Sequence, residues 1–274
     1  MMNFITSEDG VQIFFKDWGK GKPVVFSHGW PVTSDFWDPQ MLFLRQRGYR
    51  VIAHDRRGHG RSSQPDEGHN MDTYADDLAA LLDTLDIKDA TLVGHSTGGG
   101  EVTRYVGRHG THRISKVILI APVVPAMAQS ETNPNGVPMA VYDGIRQGMT
   151  QDRSEFLKQI AVPVYGFNRP KAKVSQGLID SLWAAGMMGA INAEYDCIKA
   201  LSETDFTEDL KKFNVPTLFI QGDDDQIVPL ELSSTRASKL VEDSTVKIYP
   251  GAPHGLSQTM ANEVNADILA FIES

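Results

Sequence analysis

The sequence predicts an α/β fold: a mostly parallel, eight-stranded sheet with helices on both faces and a helical cap over one edge. Solid runs of apolar, largely β-branched residues recur along the chain, which is typical of strands buried on both faces. Amphipathic helical patterns separate these runs, as in a doubly wound sheet. The 274 residues, 41% of them hydrophobic and 22% charged, suffice for one large core.

The predicted strands begin with a hairpin. Residues 2–6 and 11–17 are β-like runs on either side of Glu8-Asp9-Gly10, and Asp-Gly between apolar runs is a strong turn signal. Six further strands follow, the last with the weakest pattern: residues 24–26, 51–53, 91–93, 117–120, 217–220 and 245–249. We expect these six strands to pair in parallel because helical segments separate them.

The spacing of apolar residues predicts two helices, and a glycine-rich turn precedes a third. Residues 71–86 place apolar side chains at steps of three and four, which puts them on one helix face. Residues 261–272 repeat this spacing. A further helix, over about residues 97–108, follows a glycine-rich turn.

Residues 123–212 break the alternation of strands and helices. They contain helical segments without a clear strand and hold five of the ten Met. We interpret them as a helical cap inserted into a core formed by residues 1–122 and 213–274. Most apolar residues of the cap are expected to form its own core. Some must face the carboxyl edge of the sheet, where ligands bind in open α/β folds.

Charge and cysteine content exclude several classes of protein. The 26 basic and 35 acidic residues give a net charge of −9, which makes the chain a poor general partner for nucleic acid. Cys197 is the only cysteine, so no internal disulfide, zinc-finger spacing or C-x-x-C-H haem motif exists. The N-terminal segment does not resemble a signal peptide and no apolar run is long enough to cross a membrane, so a soluble, cytoplasmic protein is expected.

Ser96 is the candidate nucleophile. It is the central residue of GHSTG at 94–98, between a predicted strand and a predicted helix, and G-x-S-x-G in that context is a nucleophile elbow. A side chain at Gly94 or Gly98 would strike the neighbouring strand or helix. The helix N-terminus favours negative charge that develops beside Ser96. The alternative for this motif alone is a structural glycine-rich turn.

A serine nucleophile needs a base, and the base needs a carboxylate that orients it. In this arrangement the chain order is Ser, acid, His. Among the eight His, only His254 lies beyond the late strand and the acids that follow it. Those acids are Asp223, Asp224 and Asp225. Their spacing does not fit a calcium loop, an exposed acidic turn fits two of them, and one carboxylate is expected to face His254.

An oxyanion hole needs two backbone N–H groups near the serine. Thr97, the residue after the nucleophile, is expected to supply one, and the loop at residues 28–31 the other, from Trp30. The Trp30 indole would then form a wall of the acyl pocket, and the His28 side chain is expected to brace the loop. The basic turn at residues 55–62 follows a strand and is interpreted as structural.

Five motifs have a recognisable order and spacing: SHGWP at 27–31, DRRGHGRSS at 55–63, GHSTGGGE at 94–101, GDDDQIVP at 222–229 and PGAPHG at 250–255. Together they resemble the α/β-hydrolase superfamily over about residues 3–272. More narrowly, they resemble the cofactor-free bacterial haloperoxidases, also called non-haem chloroperoxidases or perhydrolases, and their arylesterase relatives. The resemblance implies the α/β-hydrolase fold and a reaction without cofactor or metal.

The resemblance also implies roles for individual residues. The family's catalytic aspartate is the one in G-x-x-D-x-x-x-P, which corresponds to Asp225. The nucleophile and base correspond to Ser96 and His254, and the oxyanion donors to Trp30 and Thr97. Further pocket positions are Pro31, Ile227 and Val228.

The implied substrates are an ester, or a carboxylic acid together with hydrogen peroxide. Water resolves the acyl-enzyme on Ser96 by hydrolysis, whereas peroxide gives a peracid that oxidises halide in solution. Pro31 beside Trp30 is common among haloperoxidase-named members, which favours perhydrolysis over plain esterase activity. A homo-oligomer, a trimer or a hexamer, is a further suggestion of the resemblance.

Other functions share this pattern. A lactone or C–C bond hydrolase, and a ligand receptor that retains the triad, are the alternatives. Dehalogenases and epoxide hydrolases are disfavoured because they carry Asp where this chain has Ser96. The natural acyl group is not specified by the sequence.

Overall fold

The computed structural model describes residues 3–274. Its eight strands are β1 (Asn3–Thr6), β2 (Gln12–Trp18), β3 (Pro23–Ser27), β4 (Arg50–His54), β5 (Ala90–His95), β6 (Ile114–Ile120), β7 (Thr217–Gly222) and β8 (Ser244–Tyr249). They form one sheet in the order β1-β2-β4-β3-β5-β6-β7-β8. Strand β2 runs antiparallel to both of its neighbours and all other pairs are parallel. The predicted fold class is confirmed; Met2, the first residue of the first predicted strand, lies outside the described residues.

The helices fill the segments between the strands. They are α1 (Asp38–Arg45), α2 (Met71–Thr84), α3 (Thr97–His109), α4 (Met139–Gln151), α5 (Arg153–Val164), α6 (Gln176–Met188), α7 (Ile191–Glu203), α8 (Thr207–Leu210), α9 (Ser234–Ala237), α10 (Leu256–Thr259) and α11 (Ala261–Glu273). The three predicted helices are α2, α3 and α11. Helix α2 ends two residues earlier than predicted, because Asp86 adopts a left-handed backbone with φ of 46°. Within residues 3–274, no helix is long and apolar enough to cross a membrane.

The position of a strand in the sheet explains how clearly its sequence identifies it. Strands β5 and β7 are buried along their whole length. Helices cover both of their faces, so nearly every position can be apolar. Strand β8 lies at one edge of the sheet, where three of its six residues are exposed and only one is buried. Its apolar pattern is therefore the weakest of the six later strands.

Helices α4–α8 all lie between β6 and β7. No strand occurs in residues 121–216, where the only β pairing is an isolated bridge between Ala128 and Val137. The division into a core of residues 1–122 and 213–274 and a cap of residues 123–212 stays a prediction. What the structure adds is that α4–α7 face the carboxyl ends of the strands across a cavity.

Candidate active site

Ser96 occupies a strained turn between β5 and α3. Its backbone φ and ψ are 54° and −117°, a combination that residues other than glycine rarely adopt. Close packing forces this turn, since a Cβ on Gly98 would collide with the carbonyl groups of Ser27 and His28, and one on Gly94 with Gly98. The turn places the Ser96 side chain at the cavity.

Asp225 holds His254 in one orientation. Its Oδ2 lies 2.8 Å from His254 Nδ1 and accepts a longer hydrogen bond of 3.3 Å from Gln221 Nε2. Its Oδ1 accepts the backbone N–H groups of Ile227 and Val228 at 2.9 and 2.8 Å. An ionised carboxylate only accepts, so the His254 proton lies on Nδ1 and Nε2 is the basic nitrogen.

The other two aspartates of this loop point elsewhere. Asp224 forms an ion pair with Arg169 on the protein surface, with Nε 2.6 Å from Oδ2. Asp223 accepts the backbone N–H of Gly251 at 2.6 Å. Of three adjacent acids, the structure therefore brings only Asp225 to His254.

His95 supports His254 from within the elbow. Its Nε2 lies 3.1 Å from the carbonyl oxygen of His254, and the two ring centroids are 4.7 Å apart. Burial, together with the neighbouring His254, lowers the pKa of His95 to about 3. His95 is therefore neutral at physiological pH and acts as a packing and hydrogen-bonding group. The sequence pattern did not indicate this role, although His95 lies inside the GHSTG motif.

Trp30 and Thr97 line the cavity together with Ser96, and their backbone N–H groups have no hydrogen-bond acceptor in residues 3–274. Thr97 is the first residue of α3, and the first N–H groups of a helix have no intrahelical acceptor. Trp30 follows Gly29, whose backbone approaches the elbow closely. A Cβ on Gly29 would lie only 3.2 Å from Ser96 Cβ. Both N–H groups are thus available to an oxygen that forms next to Ser96.

These residues meet in one cavity of about 240 Å³. Its lining includes Ser96, Thr97 and His254. The four predicted pocket residues also line it: Trp30, Pro31, Ile227 and Val228. Asp225 lies behind His254. No Asp, Glu, Lys or Arg is among the lining residues.

Helices α4–α7 supply the side of the cavity opposite the strand ends. Their lining residues are almost all apolar and include Val141, Tyr142, Ile160, Leu182 and Ile198. The sequence did not identify these residues. Apolar positions of an amphipathic helix have the same pattern whether they pack a core or line a cavity.

The arrangement is suited to acyl transfer. It holds the groups that acyl transfer requires: a serine hydroxyl, an imidazole hydrogen-bonded to a carboxylate, and two N–H groups without an acceptor in residues 3–274. The uncharged lining favours an uncharged acyl group.

Comparisons with known proteins agree with this architecture. Residues 22–257 match the family model of the alpha/beta hydrolase fold. The chain is 56% identical to a non-heme haloperoxidase of Rhodococcus erythropolis and 51% identical to a bifunctional esterase/perhydrolase of Acinetobacter calcoaceticus, each over 100% of both chains. It superposes on the crystal structure of bromoperoxidase from Bacillus anthracis with a TM-score of 0.95 and 39% identity over 100% of both chains. The chain therefore belongs to the α/β-hydrolase family, among relatives named non-heme haloperoxidases and esterase/perhydrolases.

Proposed function

We propose that the protein is a serine-dependent acyl hydrolase and perhydrolase that works without a cofactor. The observation that carries this proposal is the cavity that joins Ser96, the His254–Asp225 pair and the free N–H groups of Trp30 and Thr97. The names of the relatives support it, since they include both esterase/perhydrolase and haloperoxidase.

In the first half-reaction, Ser96 Oγ attacks the carbonyl carbon of an ester or a carboxylic acid. His254 Nε2 takes the serine proton, while Asp225 stabilises the imidazolium that forms. The N–H groups of Trp30 and Thr97 donate to the oxyanion. His254 then protonates the departing alkoxide, or the departing hydroxide of an acid, and leaves an acyl group on Ser96.

In the second half-reaction, water or hydrogen peroxide attacks the acyl group. His254 removes the proton from the attacking oxygen and returns it to Ser96. Water gives the carboxylic acid, whereas hydrogen peroxide gives the peracid. The peracid then transfers one oxygen to chloride or bromide in solution, which gives hypohalous acid and regenerates the carboxylic acid.

The proposal also includes a cytoplasmic location and a homo-oligomer, a trimer or a hexamer. Sedimentation velocity on the purified chain would test the assembly. A monomer at working concentration would remove that part of the proposal and leave the chemistry untouched.

The chemistry is tested by halide oxidation with and without a carboxylate. With hydrogen peroxide and bromide, the enzyme should brominate a phenol dye in acetate buffer and fall to background in a buffer without carboxylate. Exhaustive dialysis against chelator should leave the rate unchanged. Full halogenation without carboxylate, or its selective loss with chelator, would contradict an acyl route to the peracid.

A further inference from the structure

A cluster of buried polar side chains lies beneath the loop that carries Trp30. At its centre is Glu101 of α3, which has no exposed surface. The Glu101 carboxylate lies 2.8 Å from each of three donors: Ser27 Oγ, His54 Nε2 and Arg56 Nε. Burial opposes its ionisation, but Arg56 and His54 lower the pKa of Glu101 to about 2. The carboxylate is therefore charged and holds the Arg56 guanidinium in place.

Arg56 in turn holds His28 at two points. Its Nη2 donates to the His28 carbonyl at 2.6 Å, and its backbone N–H donates to His28 Nε2 at 2.9 Å. Because His28 Nε2 accepts a hydrogen bond, the ring proton must lie on Nδ1. That nitrogen lies 2.7 Å from the carbonyl oxygen of Gly29, to which it donates. Burial and the nearby Arg56 charge keep the pKa of His28 well below its usual range, so the ring stays neutral.

The Gly29 carbonyl belongs to the same peptide group as the Trp30 N–H. This peptide bond is trans, since the cis bonds within residues 3–274 precede Pro31 and Pro125. In a planar trans peptide the carbonyl and the N–H point in opposite directions. A hydrogen bond that fixes the Gly29 carbonyl on the side of His28 therefore fixes the direction of the Trp30 N–H.

We infer that His28 is a positioning residue of the oxyanion hole: its Nδ1–H holds the Gly29 carbonyl and so aims the Trp30 N–H at the oxygen that forms beside Ser96. Arg56 keeps His28 in the required tautomer, and Glu101 keeps Arg56 in place. Glu101 lies on α3, whose first N–H, that of Thr97, is the second donor. Helix α3 thus sets the position of both N–H donors: that of Thr97 directly, and that of Trp30 through Glu101, Arg56 and His28. This inference rests on the proposed function, because it concerns the same site.

Two substitutions distinguish a role of His28 in orienting the Trp30 N–H from a role in packing alone. The side-chain amide of His28→Asn can occupy the place of Nδ1 and donate to Gly29, but it leaves the Arg56 N–H unbonded. The amide of His28→Gln reaches the place of Nε2 and accepts from Arg56, but it leaves the Gly29 carbonyl free. We expect kcat for p-nitrophenyl acetate to fall about 100-fold in His28→Gln and no more than about tenfold in His28→Asn, since the loss of one oxyanion donor costs about 10²–10³-fold.

The measurement must distinguish a misdirected Trp30 N–H from a damaged fold. Rates are therefore expressed per active site, counted by titration with a serine-reactive phosphonate. KM should change less than about threefold in both variants, because an interaction made only in the transition state affects kcat. Equal losses of kcat in the two variants, or losses confined to KM, would show that His28 only supports the fold.

The wild-type protein provides a test that needs no substitution. Long-range ¹H–¹⁵N NMR should show His28 as a neutral ring protonated on Nδ1. A ring protonated on Nε2 or on both nitrogens would overturn the inference even if neither variant folds. Failure of the proposed function is a separate result: the wild-type enzyme would then turn over no ester at all.

Discussion

The two sides of the cavity are built in different ways. On the side of the strand ends, hydrogen bonds and charges fix each group: Asp225 accepts from four donors, and Glu101 from three. On the side of α4–α7, the lining is apolar and is positioned by packing. Electrostatic stabilisation of a transition state needs fixed dipoles, whereas an acyl chain needs only a cavity of suitable shape. We therefore expect the chemistry and the choice of acyl group to reside on opposite sides of the cavity.

A few polar contacts join the two sides. The Trp30 indole Nε1 donates to the carbonyl oxygen of Glu194 in α7 at 3.0 Å. The Glu194 carboxyl group is buried and lies 2.9 Å from the guanidinium of Arg153 in α5. The backbone N–H of Gly255, next to His254, donates to the Val164 carbonyl of α5 at 2.7 Å. Because the residues of α4–α7 that line the cavity are nearly all apolar, we expect substitutions among them to change specificity and stability more than the chemical step.

The largest expected effect is at the acid loop. Asp225→Asn should lower kcat for p-nitrophenyl acetate about 10⁴-fold, because the amide favours the wrong tautomer of His254. Asp224→Asn is the matched control, since it removes an adjacent carboxylate that faces Arg169, and it should stay within about threefold of wild type. A greater loss of kcat in Asp224→Asn than in Asp225→Asn would mean that the acid that orients His254 is Asp224, one residue earlier than proposed.

The next effect concerns stability on the side of the strand ends. Glu101→Gln leaves Arg56 buried without a counter-charge, and breaking such a pair typically costs about 3–5 kcal/mol. The free energy of unfolding, measured in urea, should fall by about that amount. As control, Glu208→Gln breaks the exposed pair with Lys211 and should change it by less than about 1 kcal/mol. Similar losses of unfolding free energy in both variants would mean that the buried cluster around Glu101 contributes little to stability.

On the side of α4–α7, we expect a smaller effect that concerns the choice of substrate. Leu182→Ala removes a buried side chain from the lining. The ratio of kcat/KM for a hexanoate ester to that for an acetate ester should rise about tenfold, because the vacated volume accommodates a longer chain. Active-site titration corrects for any loss of folded protein. An unchanged ratio would show that the acyl chain does not extend toward α6.

The smallest effect is a dependence of stability on pH. Burial raises the pKa of Glu194 from 4.5 to about 8, despite the opposing effect of Arg153. The folded state therefore binds a proton that the unfolded state has lost, and stability should fall as pH rises from about 4.5 to about 8. Glu194→Gln should flatten this slope, which for a single proton is at most about 1.4 kcal/mol per pH unit, and each kcal/mol corresponds to about 2–4 °C in Tm. Parallel Tm–pH curves for the two proteins would contradict a protonated Glu194.

The sequence predicted the sheet well because its central strands are buried on both faces. Ser96 and His254 were predicted instead from a motif and from the order of Ser, acid and His along the chain, and their roles stay predictions. The sequence could not choose among Asp223, Asp224 and Asp225 from residue type alone, since the choice depends on which side chain reaches His254 in space. The resemblance pointed to Asp225, and the structure places that carboxylate at the imidazole.

Two groups of residues were beyond the reach of the sequence. Leu182 and its neighbours in α4–α7 have the apolar spacing of any packed helix. Arg56 lies in a basic turn that was interpreted as structural, which the structure supports. What the pattern could not show is that its side chain connects α3 to the loop of Trp30. Such contacts join residues far apart in the chain and leave no local signal.

In the proposed mechanism, water and peroxide compete for one acyl-enzyme on Ser96. This competition is measured by the ratio of peracetic acid to acetic acid formed from p-nitrophenyl, phenyl and ethyl acetate at one fixed peroxide concentration. The leaving group has departed before the second half-reaction, so the ratio should be the same for all three esters, and neither product should exceed background in Ser96→Ala. A ratio that varies with the leaving group would mean that peroxide reacts before the acyl-enzyme forms, and would contradict a shared acyl-enzyme.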